Sequence, residues 1–140
     1  MNSVLNENNV VLNLDSVSKE EAIVMCGKKL VENGYVNESY IQAMLDREEL
    51  MTTFMGMGVA IPHGVNEAKK EIKKSGIVVL QFPNGIDFDG ELAYLMIGIA
   101  GVGDEHLEIL SNIATVLDDE LTDRLKDTDS KAQIIEAFTN

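Results

Sequence analysis

The sequence predicts an α/β protein, a three-layer α/β/α sandwich in which helices cover both faces of a mixed central sheet. Apolar runs rich in β-branched residues, at 59–61, 76–82 and 93–100, are typical of buried strands. Segments with apolar residues at helical spacing lie between and around these runs, so strands and helices are interleaved along the chain. A chain of 140 residues can bury its own core, and we expect residues 1–140 to form a single domain.

The first elements are a short strand and a helix. Residues 9–14 alternate weakly between polar and apolar and predict the strand. Ser18 and Glu21 have the spacing of a capping box, and Gly34 is suited to the C-terminal cap of the same helix. Cys26 lies on the apolar stripe of this helix, which predicts a small core residue rather than a reactive thiol.

A second helix is predicted to begin near Asn37, whose side chain can cap it, and to end soon after Arg47. Near a helix C-terminus, an arginine is equally well explained by a surface ion pair or by the helix dipole. Residues 51–58 predict a loop, and their Gly56-Met57-Gly58 segment lacks the third glycine of a dinucleotide-binding motif. This part of the chain therefore predicts no nucleotide site.

The next strand, at 59–61, stops at Pro62 and is followed by His63 and Gly64. A polar segment, 66–71, then predicts a short helix. A strand that ends in a reactive side chain at a glycine turn is a common way to present a nucleophile at a sheet edge. An ordinary loop histidine fits the same hexapeptide, so these residues alone leave both interpretations open.

Two further strands are predicted in the middle of the chain, at 76–82 and 93–100. Residues 83–85 (Pro-Asn-Gly) predict a turn after the first of them. Residues 86–88 would then begin a hairpin partner.

The third long helix is predicted to begin after Gly103 or Asp104, which places His106 in its first turn. Its predicted apolar stripe comprises Leu107, Leu110, Ala114 and Leu117. The positive end of the helix dipole disfavours a charged imidazole, so His106 is suited to remain neutral, although an incidental histidine fits equally well. Residues 119–125 predict another helix, and Ser130 is the expected cap of the last one.

Composition excludes several classes of partner. The 24 acidic residues outnumber the 11 basic ones, giving a net charge of −13, which argues against binding to nucleic acid or anionic membranes. A basic protein partner is compatible with this charge. No apolar run reaches the roughly 20 residues of a membrane helix, the N-terminus lacks a signal peptide, and the single cysteine fits a reducing compartment. We therefore expect a cytoplasmic protein.

The candidate site residues are Arg47, His63 and His106. Together with Cys26, the two histidines do not have the spacing of a zinc site, and no Walker loop or nucleophile elbow is present. If the fold brings the three candidates together, they suit phosphoryl transfer. One neutral imidazole would take the group, the second would hydrogen-bond its oxygens, and the guanidinium would neutralise its charge.

Four blocks of the sequence carry a resemblance to a known family. They are residues 44–48 (MLDRE), 58–64 (GVAIPHG), 67–69 (EAK) and 104–106 (DEH), the last leading to 117–120 (LDDE). The chain resembles the enzyme IIA domains of the mannitol–fructose family of the sugar phosphotransferase system. The resemblance extends from the first strand to the last helix, and these four blocks are its specific features. Within that family it is most similar to the mannitol type.

The resemblance implies a phosphoryl carrier. His63 would accept phosphate from the phosphohistidine of HPr and pass it to a cysteine of enzyme IIB, which phosphorylates the sugar as the membrane component IIC transports it. His106 would stabilise the phosphoryl group and Arg47 would orient and neutralise it. No metal or organic cofactor is implied, and the acidic charge suits the basic docking face of HPr. A fructose-type IIA and a nitrogen-related regulatory IIA are the alternatives.

Overall fold

The computed structural model describes residues 5–139, so the predicted domain of 1–140 extends beyond the described part at both ends. The strands are β1 Val10–Val11, β2 Phe54–Gly56, β3 Val59–Ala60, β4 Gly76–Phe88 and β5 Glu91–Ala100. The α-helices are α1 Lys19–Glu32, α2 Tyr40–Leu50, α3 Glu105–Val116, α4 Asp119–Leu125 and α5 Lys131–Thr139. Short 3₁₀ helices lie at Glu7–Asn9 and Asn66–Glu71. No helix in this part of the chain is long and apolar enough to cross a membrane.

The strands form one mixed sheet in the order β1-β4-β5-β3-β2. β1 runs parallel to β4, and β4 and β5 form a long antiparallel hairpin. β3 lies parallel to β5 and pairs with β2 in the antiparallel direction. The predicted mixed sheet is therefore confirmed.

Helices cover both faces of this sheet because alternate residues of the long strands point to opposite sides. On β4, Val78 and Leu80 pack against α1 and α2, in one cluster of buried side chains. Ile77 and Val79 belong to a second cluster, which α3, α4 and α5 complete on the other side. This arrangement is the three-layer α/β/α sandwich that the sequence predicts.

The prediction for α1 is confirmed in its details. The Ser18 hydroxyl accepts a hydrogen bond from the Glu21 backbone N–H at 3.1 Å. Gly34 follows the helix with a φ of +82°, the left-handed conformation that ends many helices. Cys26 is fully buried between this helix and the sheet.

The predicted start of α2 is wrong, since the helix begins at Tyr40 and the residue before it makes no side-chain cap. The Asn37 amide instead donates a hydrogen bond to the Glu71 carboxylate at 3.3 Å. The Asn37 side chain therefore bonds a residue distant in the sequence and does not cap the helix. The prediction of a loop over 51–58 is wrong at its centre, where β2 pairs with β3.

The predicted turn at 83–85 is also wrong. β4 runs through these residues, and its register against β5 shifts between Gln81 and Ile86, as in a β-bulge, where a proline is tolerated. The hairpin turns at Asp89 and Gly90, which have φ values of +55° and +102°. Two successive positive φ angles are what a tight two-residue hairpin turn requires.

The predicted apolar stripe of α3 is rotated from the observed one. Ile109 and Ile113 face the core, whereas Leu107 is 68% exposed and Ala114 is exposed. Leu117 is buried but lies just after the end of the helix. The predicted N-cap position of Asp104 and the first-turn position of His106 are confirmed, as is the cap of the last helix, where Ser130 accepts from the Gln133 N–H at 3.3 Å.

Candidate functional site

His63 lies in the segment that leaves β3, and the backbone on both sides of it is anchored to neighbouring elements. The Ile61 N–H donates to the Thr53 carbonyl at 3.0 Å, and the Ile99 N–H of β5 donates to the Pro62 carbonyl at 3.0 Å. The Gly64 N–H donates to the Tyr40 hydroxyl at 2.8 Å. With these three bonds the loop is fixed, and His63 is only 8% exposed.

Tyr40 connects this loop to the sheet. Its hydroxyl accepts from Gly64 and donates to the Ile99 carbonyl at 3.0 Å, and its side chain is 1% exposed. A Cβ atom at Gly64 would lie 2.6 Å from Cε1 of the Tyr40 ring. Glycine is therefore required here by close approach rather than by an unusual φ.

The hydrogen bond of His63 defines its neutral tautomer. Its Nδ1 lies 2.8 Å from the Ile61 carbonyl oxygen, which can only accept, so Nδ1 carries the proton. In a neutral imidazole the other nitrogen, Nε2, then keeps its lone pair. The free lone pair of the His63 side chain therefore lies on Nε2.

His106 faces His63 from the first turn of α3. The ring centroids are 5.0 Å apart and the ring planes are inclined by 56°. A Cβ at Gly101 would lie 2.4 Å from the His106 Cα, so only glycine at the end of β5 allows the helix to begin this close to the strand. The parallel pairing of β3 with β5 places both histidines at the same edge of the sheet.

Both imidazoles are held neutral. Burial lowers the pKa of His63, and the charge of Arg47 lowers it further, while the Ile61 carbonyl and the Glu48 carboxylate oppose the change. Burial also lowers the pKa of His106, to about 4, and repulsion from the charges of Lys69, Arg47 and a protonated His63 adds to the shift. Neutral imidazoles are the form that nucleophilic attack requires.

Arg47 lies in the last turn of α2 and is half-buried. Its Nη1 donates a hydrogen bond to the carbonyl of Met51, the C-cap residue of this helix. Since its charge acts on the pKa of both histidines, the guanidinium lies within electrostatic range of the pair. The structure therefore brings the two predicted histidines into ring contact, whereas the guanidinium of Arg47 is bonded to Met51 and acts on the pair through its charge.

Sequence reasoning missed two contributors to this arrangement. Tyr40 orders the loop after His63, and Lys69 adds positive charge beside His106. Only the resemblance of residues 67–69 to the family pointed to the lysine, and no signal in the sequence pointed to the tyrosine. Cys26 takes no part, because it is fully buried where α1 packs on the sheet and burial raises the pKa of its thiol. Within residues 5–139, no group of three His, Cys, Asp or Glu side chains could hold a metal ion.

An α/β sandwich that presents a neutral imidazole beside a second imidazole and a guanidinium belongs to the class of proteins suited to carry a phosphoryl group on histidine. The chain belongs to the family described as "Phosphoenolpyruvate-dependent sugar phosphotransferase system, EIIA 2", whose sequence model matches residues 3–140.

Known proteins resemble the whole chain. It is 45% identical over 139 residues to the mannitol-specific phosphotransferase enzyme IIA component of Staphylococcus aureus, covering 99% of this chain and 96% of that protein. It is 38% identical, with a TM-score of 0.89, to enzyme IIA in a structure of the complex of mannitol enzymes IIA and phosphorylated IIB from Escherichia coli, with 96% of each chain covered. The nitrogen regulatory protein IIA-Ntr of Neisseria meningitidis, at 23% identity, a TM-score of 0.83 and coverage of 99% and 98%, shares the fold alone.

Proposed function

We propose that the protein is the phosphoryl carrier of a mannitol phosphotransferase system. His63 accepts the group from phospho-HPr and passes it to a cysteine of the mannitol enzyme IIB. Family membership and full-length similarity to mannitol-specific IIA components support the activity and the sugar. The hydrogen bond from His63 Nδ1 to the Ile61 carbonyl carries the assignment of the acceptor, because it leaves Nε2 free to form a bond to phosphorus.

In the acceptance step, the Nε2 lone pair of His63 attacks the phosphorus of the donor phosphohistidine in line. The new Nε2–P bond forms as the donor P–N bond breaks and its electron pair returns to the donor imidazole. The phosphorylated ring, which retains its Nδ1 proton, becomes positively charged. The Ile61 carbonyl stabilises that charge through the same 2.8 Å hydrogen bond.

His106 and Arg47 act on the oxygens of the phosphoryl group. The ring of His106, 5.0 Å from that of His63, would donate a hydrogen bond to an oxygen of a group attached to Nε2. The guanidinium of Arg47 supplies the positive charge that offsets the developing negative charge. Because its pKa is lowered, His106 would act as a neutral hydrogen-bond donor and not as a second cation beside Arg47.

In the delivery step, a partner thiolate attacks the phosphorus and the Nε2–P bond breaks. The electron pair returns to Nε2, which restores the neutral Nδ1–H tautomer. The net charge of −13 fits a basic donor such as HPr, and we propose that the protein works in the cytoplasm, where a single unpaired cysteine is stable. No observation favours a fructose-type or regulatory function over this one.

The test uses purified protein incubated with labelled phosphoenolpyruvate, enzyme I and HPr. We expect one acid-labile phosphate on His63 and none on a His63→Ala variant. The labelled protein is then mixed with mannitol IIB and, separately, with fructose IIB, and transfer to mannitol IIB is expected to be faster. Label retained by His63→Ala would refute the acceptor, and faster transfer to fructose IIB would refute the sugar.

A further inference from the structure

A buried carboxylate adjoins the site without touching it. Glu48 follows Arg47 in α2 and is 8% exposed. Its Oε1 accepts two hydrogen bonds from Thr53, one from the backbone N–H at 2.8 Å and one from the hydroxyl at 2.6 Å. Hydrogen bonds to an ionised acceptor are about twice as strong as neutral ones, so this pair firmly ties the end of α2 to the start of β2.

The hydrogen bonds continue from Thr53 to the acceptor imidazole. The Thr53 carbonyl accepts from the Ile61 N–H at 3.0 Å, and the Ile61 carbonyl accepts from His63 Nδ1 at 2.8 Å. Glu48 and His63 are thus the two ends of one series of hydrogen bonds that passes through two backbone segments. Each bond in the series fixes the position of the backbone segment that makes the next one.

Stability alone does not account for a carboxylate at this position. The second oxygen, Oε2, has no hydrogen-bond partner within the described part of the chain, and its ion pair with Lys19 Nζ is long, at 4.0 Å, and shared with Asp89. A half-satisfied buried charge destabilises a fold relative to a neutral side chain of the same shape. Such a group is retained more readily where its charge or its hydrogen bonds serve the site.

We propose that Glu48 is a positioning residue for phosphoryl acceptance: through Thr53 and Ile61 it holds His63 in the orientation and tautomer that leave Nε2 free. The role of His63 as acceptor rests on the proposed function above. The charged and titratable groups around His63 are Arg47 and Glu48 from α2 and His106 from α3, with Lys69 beside His106. Among these, Glu48 is the one whose charge raises the pKa of His63.

The experiment compares Glu48→Ala, Glu48→Gln and Thr53→Val in the full chain, with Glu49→Ala, at the exposed neighbouring position, as the matched control. Two properties are measured: the tautomer and pKa of His63 by ¹⁵N NMR without phosphate, and the rate of acceptance at increasing phospho-HPr. Glu48→Ala is expected to give a mixture of neutral tautomers and a maximal rate about tenfold lower, because small displacements of a reacting group are costly. The half-saturating phospho-HPr concentration should not change, since Glu48 is buried.

Glu48→Gln keeps the acceptor oxygen but removes the charge. It should restore the single Nδ1–H tautomer and most of the rate, and shift the acidic limb of the pH–rate profile to lower pH, since the pKa of His63 falls. Thr53→Val, which loses the hydroxyl donor alone, should show a smaller loss than Glu48→Ala. Glu49→Ala should match the unmodified protein in every measurement.

An unchanged His63 tautomer in folded Glu48→Ala would overturn the proposal. So would a higher half-saturating concentration at an unchanged maximal rate, which would place Glu48 in partner docking, or an unshifted pH profile in Glu48→Gln. If Glu48→Ala does not fold, Thr53→Val decides by the same tautomer measurement. Failure of the unmodified protein to take phosphate would refute the proposed function instead, and the NMR comparison would still test the coupling of Glu48 to His63.

Discussion

Replacing Tyr40 by phenylalanine removes one oxygen atom that holds two backbone groups of the site. The hydroxyl accepts from the Gly64 N–H at 2.8 Å and donates to the Ile99 carbonyl at 3.0 Å. Both backbone groups would lose these partners beside a side chain that is only 1% exposed. We expect Tyr40→Phe to fold, because the ring itself still fills its place in the core.

The size of the effect follows from these two bonds. A net hydrogen bond contributes about 1 kcal/mol, and a buried group left unpaired costs roughly 1–3 kcal/mol. We therefore expect the free energy of unfolding to fall by about 2–3 kcal/mol, and the melting temperature by roughly 7–10 °C for a chain of this size. Phosphoryl acceptance should also slow, because Gly64 directly follows His63 and loses its only side-chain anchor among the described residues.

Urea denaturation followed by circular dichroism measures the first effect, and labelling from phospho-HPr measures the second. Tyr94→Phe is the matched control, since the Tyr94 ring packs near Lys126 Nζ, 4.9 Å from the ring centroid, and is separate from the histidine pair. A midpoint and m-value equal to those of the unmodified protein, together with an unchanged rate, would refute the role assigned to the hydroxyl. A loss of stability with an unchanged rate would refute its role in ordering the loop.

Four further predictions concern the site and the core. His106→Ala should still be phosphorylated slowly but transfer poorly to IIB, measured by single-turnover labelling; unchanged transfer would contradict a role for His106. Its lowered pKa also means that the folded state binds a proton less readily than the unfolded state. Stability should therefore fall as pH decreases from about 6.5 towards about 4. Over this pH range the urea midpoint of His106→Gln should fall less than that of the unmodified protein, and an equal fall in both proteins would contradict the prediction. Arg47→Lys should reduce the acceptance rate more than the affinity for phospho-HPr, because a lysine keeps the charge but loses the planar donor pair. A saturation series in which Arg47→Lys lowers the affinity for phospho-HPr more than the maximal rate would contradict this prediction. Cys26 should resist thiol reagents in the folded protein and react once urea is added, since burial raises its pKa; rapid reaction without urea would be inconsistent with the structure.

The side-chain types of the site could be predicted from the sequence, because few residues of 140 can perform phosphoryl transfer. His63 and His106 are the only histidines, and each follows an apolar run at a glycine-containing segment. The tautomer of His63 was out of reach, since it depends on which carbonyl lies beside Nδ1. Glu48 and Thr53 were also missed as contributors, because their connection to His63 passes through strand pairing that no local pattern encodes.

The errors in the fold have a common physical origin. At 83–85 the local turn signal was strong, but continued pairing of β4 with β5 kept the chain extended and turned the irregularity into a bulge. The actual turn, Asp89-Gly90, has the Asp-Gly sequence that is typical of tight hairpins. Both 83–85 and 89–90 could therefore form a turn, and the pairing of β4 with β5 determines which of them does. In α3, Leu107 and Ile109 belong to different stripes at helical spacing, and the sheet buries the second.

The meeting of the two histidines depends on the direction of β3 more than on any side chain. β3 and β5 run parallel, with Val59 opposite Leu95 and Ala60 opposite Met96, so both strands deliver the chain to the same edge of the sheet. If β3 ran antiparallel to β5, His63 would emerge at the opposite end of the sheet from His106 and the two rings would not meet. The antiparallel β2–β3 pair, which the sequence did not predict, reverses the chain after α2 and gives β3 this direction. The short strand that lies within the predicted loop is therefore a condition for the contact between the two histidines.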